Sequence, residues 1–161
     1  MHPRCAADGK KIFSRIGLSF ALAYAVLIMV NYFVQFTVVT PSLQRGETQD
    51  LSLFTQCNPH GLFTALEALA YLIMSVALLF AAPVFAGGRA ERAIRGLLVL
   101  GFVLAVAAFV VLALLRHDLV AFEVTVLLIN WIVLIVSGAL MSIVFRRALR
   151  STSLGDARME V

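Results

Sequence analysis

Residues 96–115 form a run of 20 residues without one charged or strongly polar side chain. A run of that length crosses a bilayer, because roughly 30 Å of hydrocarbon at about 1.5 Å per helical residue takes about 20 residues. Three further stretches meet the same requirement, at about residues 16–39, 61–85 and 119–145. Of the 161 residues, 61% are hydrophobic and only 14% are charged, more apolar surface than a soluble domain of this size can bury. The same abundance excludes disorder. The chain reads as an all-α integral membrane bundle of four transmembrane helices, a single domain over residues 1–161 with an outer loop at 40–60 and a tail at 146–161. The first span is not a signal peptide, since its apolar run exceeds the roughly 7–15 residues of a signal core and no Ala-x-Ala site follows.

Lys and Arg outside the spans set the direction. The N-terminal segment holds Arg4, Lys10, Lys11 and Arg15, and the connection between spans two and three holds Arg89, Arg92 and Arg95. The tail holds Arg146, Arg147, Arg150 and Arg158, whereas the opposite side has only Arg45 and Arg116. Basic residues collect on the cytoplasmic side, so both termini are expected in the cytoplasm and the membrane is expected to be the plasma (inner) membrane. The short connections at 86–95 and 116–118 make spans two, three and four antiparallel neighbours in an up-down arrangement. The basic rim suits anionic lipid head groups, and nucleic acid is not an expected partner.

Local signals mark the ends. Thr40-Pro41 should end the first span, and Pro83 should kink or end the second. Leu51 to Phe54 suits one helical turn at the outer interface. Asn58 is placed to cap the second span, with Pro59 at its first position. Arg146-Arg147 should stop the fourth span, and residues 155–161 should fray. Cys5 and Cys57 fall on opposite sides of the membrane and cannot pair within one chain. Cys57 is a lone outer thiol, with a link between protomers as the alternative.

The chemically informative residues are the polar ones at membrane depth, where an ionisable group is costly unless neutralised, paired or hydrated. His60, Thr64, Glu67, Tyr71 and Ser75 are spaced 4, 3, 4 and 4 apart, which sets them on one helix face. The first span carries Tyr24, Asn31 and Gln35, and the fourth carries Glu123, Asn130 and Ser137. The third has no such stripe and should sit mainly against lipid. No Lys or Arg lies inside any of the four spans. The Glu67 carboxyl must therefore be protonated, hydrogen-bonded to Asn31 or Gln35, or in contact with a cation or water.

These stripes predict a polar pocket open to the outside and closed below. Glu67 is its central acid, Asn31, Gln35, Tyr71 and Asn130 its walls, and His60 and Glu123 its mouth. The plainer alternative is an interhelical hydrogen-bond cluster with no ligand. His60, His117, Asp118 and Glu123 are metal-ligand types, but their spacing matches no dense ligand pattern, and no metal site is expected. Haem would need deep axial histidines, a disulfide redox enzyme would need paired cysteines, and no cofactor can be named. Small residues at Gly17, Ala21 and Ala25, at Gly101 and Ala105, and at Gly138 and Ser142 permit close helix approach, within the chain or in a homodimer. Trp131 is expected to be a core residue. Three functions follow: non-enzymatic binding or transport of a small ligand or ion, a structural or accessory subunit of a membrane complex, and an outer-face enzyme acting on a lipid or quinone.

Overall fold

The computed structural model describes residues 3–47, 51–54, 58 and 60–159, with the side chains of 11–47, 51, 53, 54, 58, 60–144 and 146. Cys57 and Pro59 lie outside the described residues, as does the side chain of Cys5. The chain is all helical among those residues, with α1 at Pro3–Val34, α2 at Thr40–Gln44, α3 at Leu62–Ala81, α4 at Arg89–Ala108 and α5 at Leu119–Met159. Four stretches are long and apolar enough to cross a membrane: Lys11–Gln44, Leu62–Val84, Arg89–Leu115 and Leu119–Val144. The outer surface is hydrocarbon-like, with Leu18, Met29, Phe33, Phe36, Leu128 and Ile135 each at least half exposed. In water such a surface would aggregate; in lipid it costs nothing.

Proline and the basic pairs end the apolar stretches less abruptly than the sequence suggests. Pro41 does not stop the first span. A wide π-turn at Gln35–Val39 precedes it, and the helix continues through α2. Proline removes one backbone donor and crowds the carbonyl four residues back, and widening the turn relieves both effects. The N–H and the hydroxyl of Thr40 both donate to the Gln35 carbonyl, the latter at 2.9 Å. Pro83 does end α3, in a 3₁₀ turn at Ala82–Val84. Past Arg146-Arg147 the apolar character stops but α5 continues to Met159, so the expected fraying from residue 155 gives way to helix.

The connections are built from side-chain caps. Asn58 does not cap α3, which begins one turn later with Gly61 in extended conformation as its N-cap. Instead the Asn58 carbonyl accepts from Gly61 N–H at 2.9 Å and from the Thr64 hydroxyl at 3.2 Å. The expected turn at Leu51–Phe54 forms as 3₁₀, and Phe54 packs edge-on against Phe63. Glu91 reaches back to the N–H of Gly87 and secures the start of α4. A second π-turn, Phe109–Leu115, leads into the reversal at residues 116–118. There His117 takes the left-handed conformation at φ 54°, and the Asp118 carboxylate caps α5 by accepting from Ala121 N–H at 2.9 Å.

The spans are not equivalent. α3 is the central helix and touches α1, α4 and α5, while α4 and α5 pack closely on each other. Two apolar clusters join these three, one around Tyr71, Ala105, Phe122 and Val126 and one around Ile94, Leu98 and Val133. α1 packs on α3 alone among the long helices, through Gly17 against Ala77 and Phe80 and through the Phe13 and Phe20 rings on Phe80. The first span is therefore the peripheral one. Only 11% of its most apolar window is buried against 28% for the third, which reverses the expectation that the third span faces lipid. The third span buries Ile94, Leu98, Gly101 and Ala105, a stripe of two large and two small residues that polarity alone does not reveal. Gly138 and Ser142, in contrast, are exposed.

Gly101 and Gly96 test this packing. A Cβ on Gly101 would lie 2.7 Å from Val133 Cγ2, whereas Gly96 faces open space. Gly96→Ala should leave stability unchanged or raise it by up to about 1 kcal/mol through helix propensity. Gly101→Ala should lower it by about 1–3 kcal/mol, because the β-branched Val133 has no alternative rotamer to move into. Reversible unfolding in mixed micelles measures the difference.

Candidate functional site

The polar stripe of α3 is the buried core of the molecule. Thr64, Glu67, Tyr71 and Ser75 are all buried, as their spacing requires of one inward face. His60 precedes the helix and is exposed. Because α3 is central, this face is covered by α1 on one side and by α5 on the other.

Glu67 collects phenols. Its Oε1 accepts from the Tyr32 hydroxyl on α1 at 3.1 Å and from the Tyr71 hydroxyl on its own helix at 3.4 Å. The Tyr24 ring lies 6.1 Å from that of Tyr71. The chain has only three tyrosines, and all three gather here. Glu123 on α5 is half-buried, close enough for its charge to interact with Glu67 and with Tyr32 and Tyr71. Carboxyls, phenols and amides supply this site, so it offers oxygen acceptors and weak donors but no basic group.

Asn31 lies in the last turn of α1, and Gln35 opens the π-turn that follows it. Asn31 is 1% exposed, and neither its amide nitrogen nor its carbonyl oxygen has a protein partner; the Gln35 amide nitrogen is likewise buried without one. Asn31 sits seven residues past Tyr24 and fourteen past Gly17, on the seam that packs against α3. Buried amides are normally satisfied, and one left open costs about 1–3 kcal/mol, so these two are the costly polar groups of the site.

Asn130 has a different task from the wall residue the sequence suggests. Its amide donates to the Tyr71 carbonyl at 3.0 Å, and its Oδ1 accepts from the Ser75 hydroxyl at 3.0 Å. Both ends are spent on α3, so Asn130 clamps α5 to the central helix. His60 is held in the turn before α3, its N–H donating to Asn58 Oδ1 at 3.0 Å. His117 is exposed, and Asp118 is occupied as the cap of α5. No group of three or more His, Cys, Asp or Glu placed to hold a metal ion occurs among the described residues.

Sequence reasoning missed Tyr32 and misplaced Trp131. Tyr32 falls outside the stripe because it is one position, about 100°, from Asn31 on the helix wheel, and only the length of the phenol brings its hydroxyl back to Glu67. Trp131 is 58% exposed, not a core residue. Compared with family models, curated proteins and solved structures, the chain matches none.

The Ser75–Asn130 clamp should be measurable as a coupling. A double-mutant cycle of Ser75→Ala and Asn130→Ala, read by unfolding in mixed micelles, should give an interaction of about 0.6–2 kcal/mol. A coupling of zero would show that the pair does not hold the helices together.

Proposed function

We propose that this chain is a multi-pass protein of the plasma (inner) membrane that binds a small cationic ligand or ion at Glu67 without chemically transforming it. Its four helices run up and down with both termini in the cytoplasm, and the bilayer is its first partner. The observation that carries the reading is the Glu67 carboxyl, 6% exposed on the central helix and held by two tyrosine hydroxyls from two helices. A cluster serving only as glue would satisfy its neighbours, as the Asn130 clamp does. Asn31 and Gln35 are left with buried, unpartnered amide atoms on the α1 seam. Glu67 lies five residues into α3, about 8 Å from its start, so access is from the outer half of the membrane. Glu123, half-buried on α5, adds a second carboxyl near Glu67. Transport would follow if two such chains pair and alternate access, since one four-span chain has few helices to rock against each other.

Native mass spectrometry of the protein released from mild detergent tests this, wild type beside Glu67→Gln. Glutamine keeps the shape and still accepts from Tyr32 and Tyr71, so the fold should persist. The expected result is an added mass on the wild type that the variant lacks. Identical spectra with the same oligomeric state would overturn the reading and favour an accessory subunit. Topology is tested separately with the two natural thiols. A membrane-impermeant maleimide applied to intact cells should label Cys57 and spare Cys5, and Cys57→Ser should abolish the labelling.

A further inference from the structure

α1 and α5 both lean on α3 but do not approach each other among the described residues, and the gap between them is a slot of about 400 Å³. Tyr24 lines it from α1, Met74 forms its floor on α3, and Trp131, Leu134 and Ile135 line it from α5. Trp131 and Ile135 are more than half exposed, and Trp131 stands midway along the span Leu119–Val144. Tryptophan in membrane proteins favours the interfaces, so an indole open at hydrocarbon depth is out of its usual place. The slot faces lipid, and its volume is within the usual range for small-molecule sites, about 300–1,000 Å³.

Tyr24 links the slot to the carboxyl cluster. Tyr24 belongs to both: it lines the slot, and its ring is 6.1 Å from Tyr71, whose hydroxyl is 3.4 Å from Glu67 Oε1. One wall of this space is therefore aromatic, with the Glu67 carboxyl behind Tyr71, and the remainder is apolar. An anion would be repelled by Glu67 and Glu123. A hydrated alkali ion would gain nothing from Met74, Leu134 and Ile135. A neutral acyl chain would make no use of the carboxyl or of the two tyrosine faces. A cation carrying a hydrocarbon body uses all of them, because tyrosine and tryptophan faces attract ammonium groups and a desolvated counter-charge strengthens that attraction.

We propose that the slot between α1 and α5 is a lateral binding site for a lipophilic ammonium ion taken from the bilayer. The hydrocarbon body lies along Trp131, Leu134 and Ile135, and the charged head rests against Tyr24 and Tyr71 with Glu67 as counter-charge behind them. This rests on the reading of Glu67 as a cation-binding acid and adds the ligand class and the route of entry.

Trp131 is the chain's only tryptophan, so its fluorescence reports the slot alone. The protein in phosphatidylcholine nanodiscs is titrated with a bromoalkyl trimethylammonium salt, whose bromine quenches indole on contact, and in parallel with the bromoalkanol of equal chain length. The cation should quench saturably, and the alkanol only in proportion to its concentration in the bilayer. Glu67→Gln should raise the half-quenching concentration of the cation by about tenfold or more, as loss of a desolvated counter-charge predicts, and leave the alkanol curve unchanged. Leu134→Phe, a surface change that narrows the slot and leaves Glu67 intact, should also weaken saturable quenching. Equal, unsaturable quenching by both probes would overturn the proposal, and so would saturable cation quenching that ignores Glu67→Gln. If the added mass on the wild type still disappears in Glu67→Gln while the slot fails these tests, the lateral route is wrong and the Glu67 reading stands. If both fail, the acid is not a cation site.

Discussion

A carboxyl at hydrocarbon depth must be enclosed by protein, and the architecture follows from that requirement. Glu67 sits on a helix whose polar side chains, from Thr64 to Ser75, share one face, and no orientation in lipid would hydrate that face. α3 is therefore the element around which the others collect. α5 covers one flank with Asn130, which bonds to the central helix through both its amide nitrogen and its oxygen. α1 covers the other flank with Tyr32 and leaves Asn31 open. The apolar part of α4, from Gly96 onward, brings no polar side chain and contributes close packing instead, through Gly101 and Ala105.

Asn130 and Asn31 differ in hydrogen bonding rather than in burial or residue type. Both are 1% exposed, and both lie on a helix facing α3. One makes a hydrogen bond at each end of its amide. The other lies beside the carboxyl cluster with its donors and acceptor unspent.

Much of this was legible in the residues. Four apolar runs of spanning length predict four spans because backbone satisfaction in lipid leaves the helix as the natural choice, and the 4-3-4 spacing predicts the buried face of α3 because helical periodicity is geometric. The turn at Leu51–Phe54 and the break at Pro83 were legible for similar local reasons. Which span sits at the edge was not. Polarity marks the first span as an inward helix, yet packing depends on small residues and ring contacts that do not differ in hydropathy from lipid-facing ones. The Pro41 boundary was misread because a π-turn absorbs the missing donor. Tyr32 was missed because side-chain reach, unlike helical phase, cannot be counted along a sequence. The exposed Trp131 follows from the separation of α1 and α5, a tertiary fact with no local signature.

The dependence of α1 on α3 alone also bears on the order in which the chain assembles. Synthesis proceeds from the N-terminus, so α1 enters the bilayer first and has no helical partner until α3 emerges. Tyr32 and Glu67 can meet at that moment, before α4 and α5 exist. The acid is thus sheltered by the earliest possible pair of helices, and the nascent chain never has to hold it in lipid for the duration of two further spans. Asn130 arrives last and finds Ser75 already presented on an anchored helix, so the clamp closes an assembly that its predecessors have oriented.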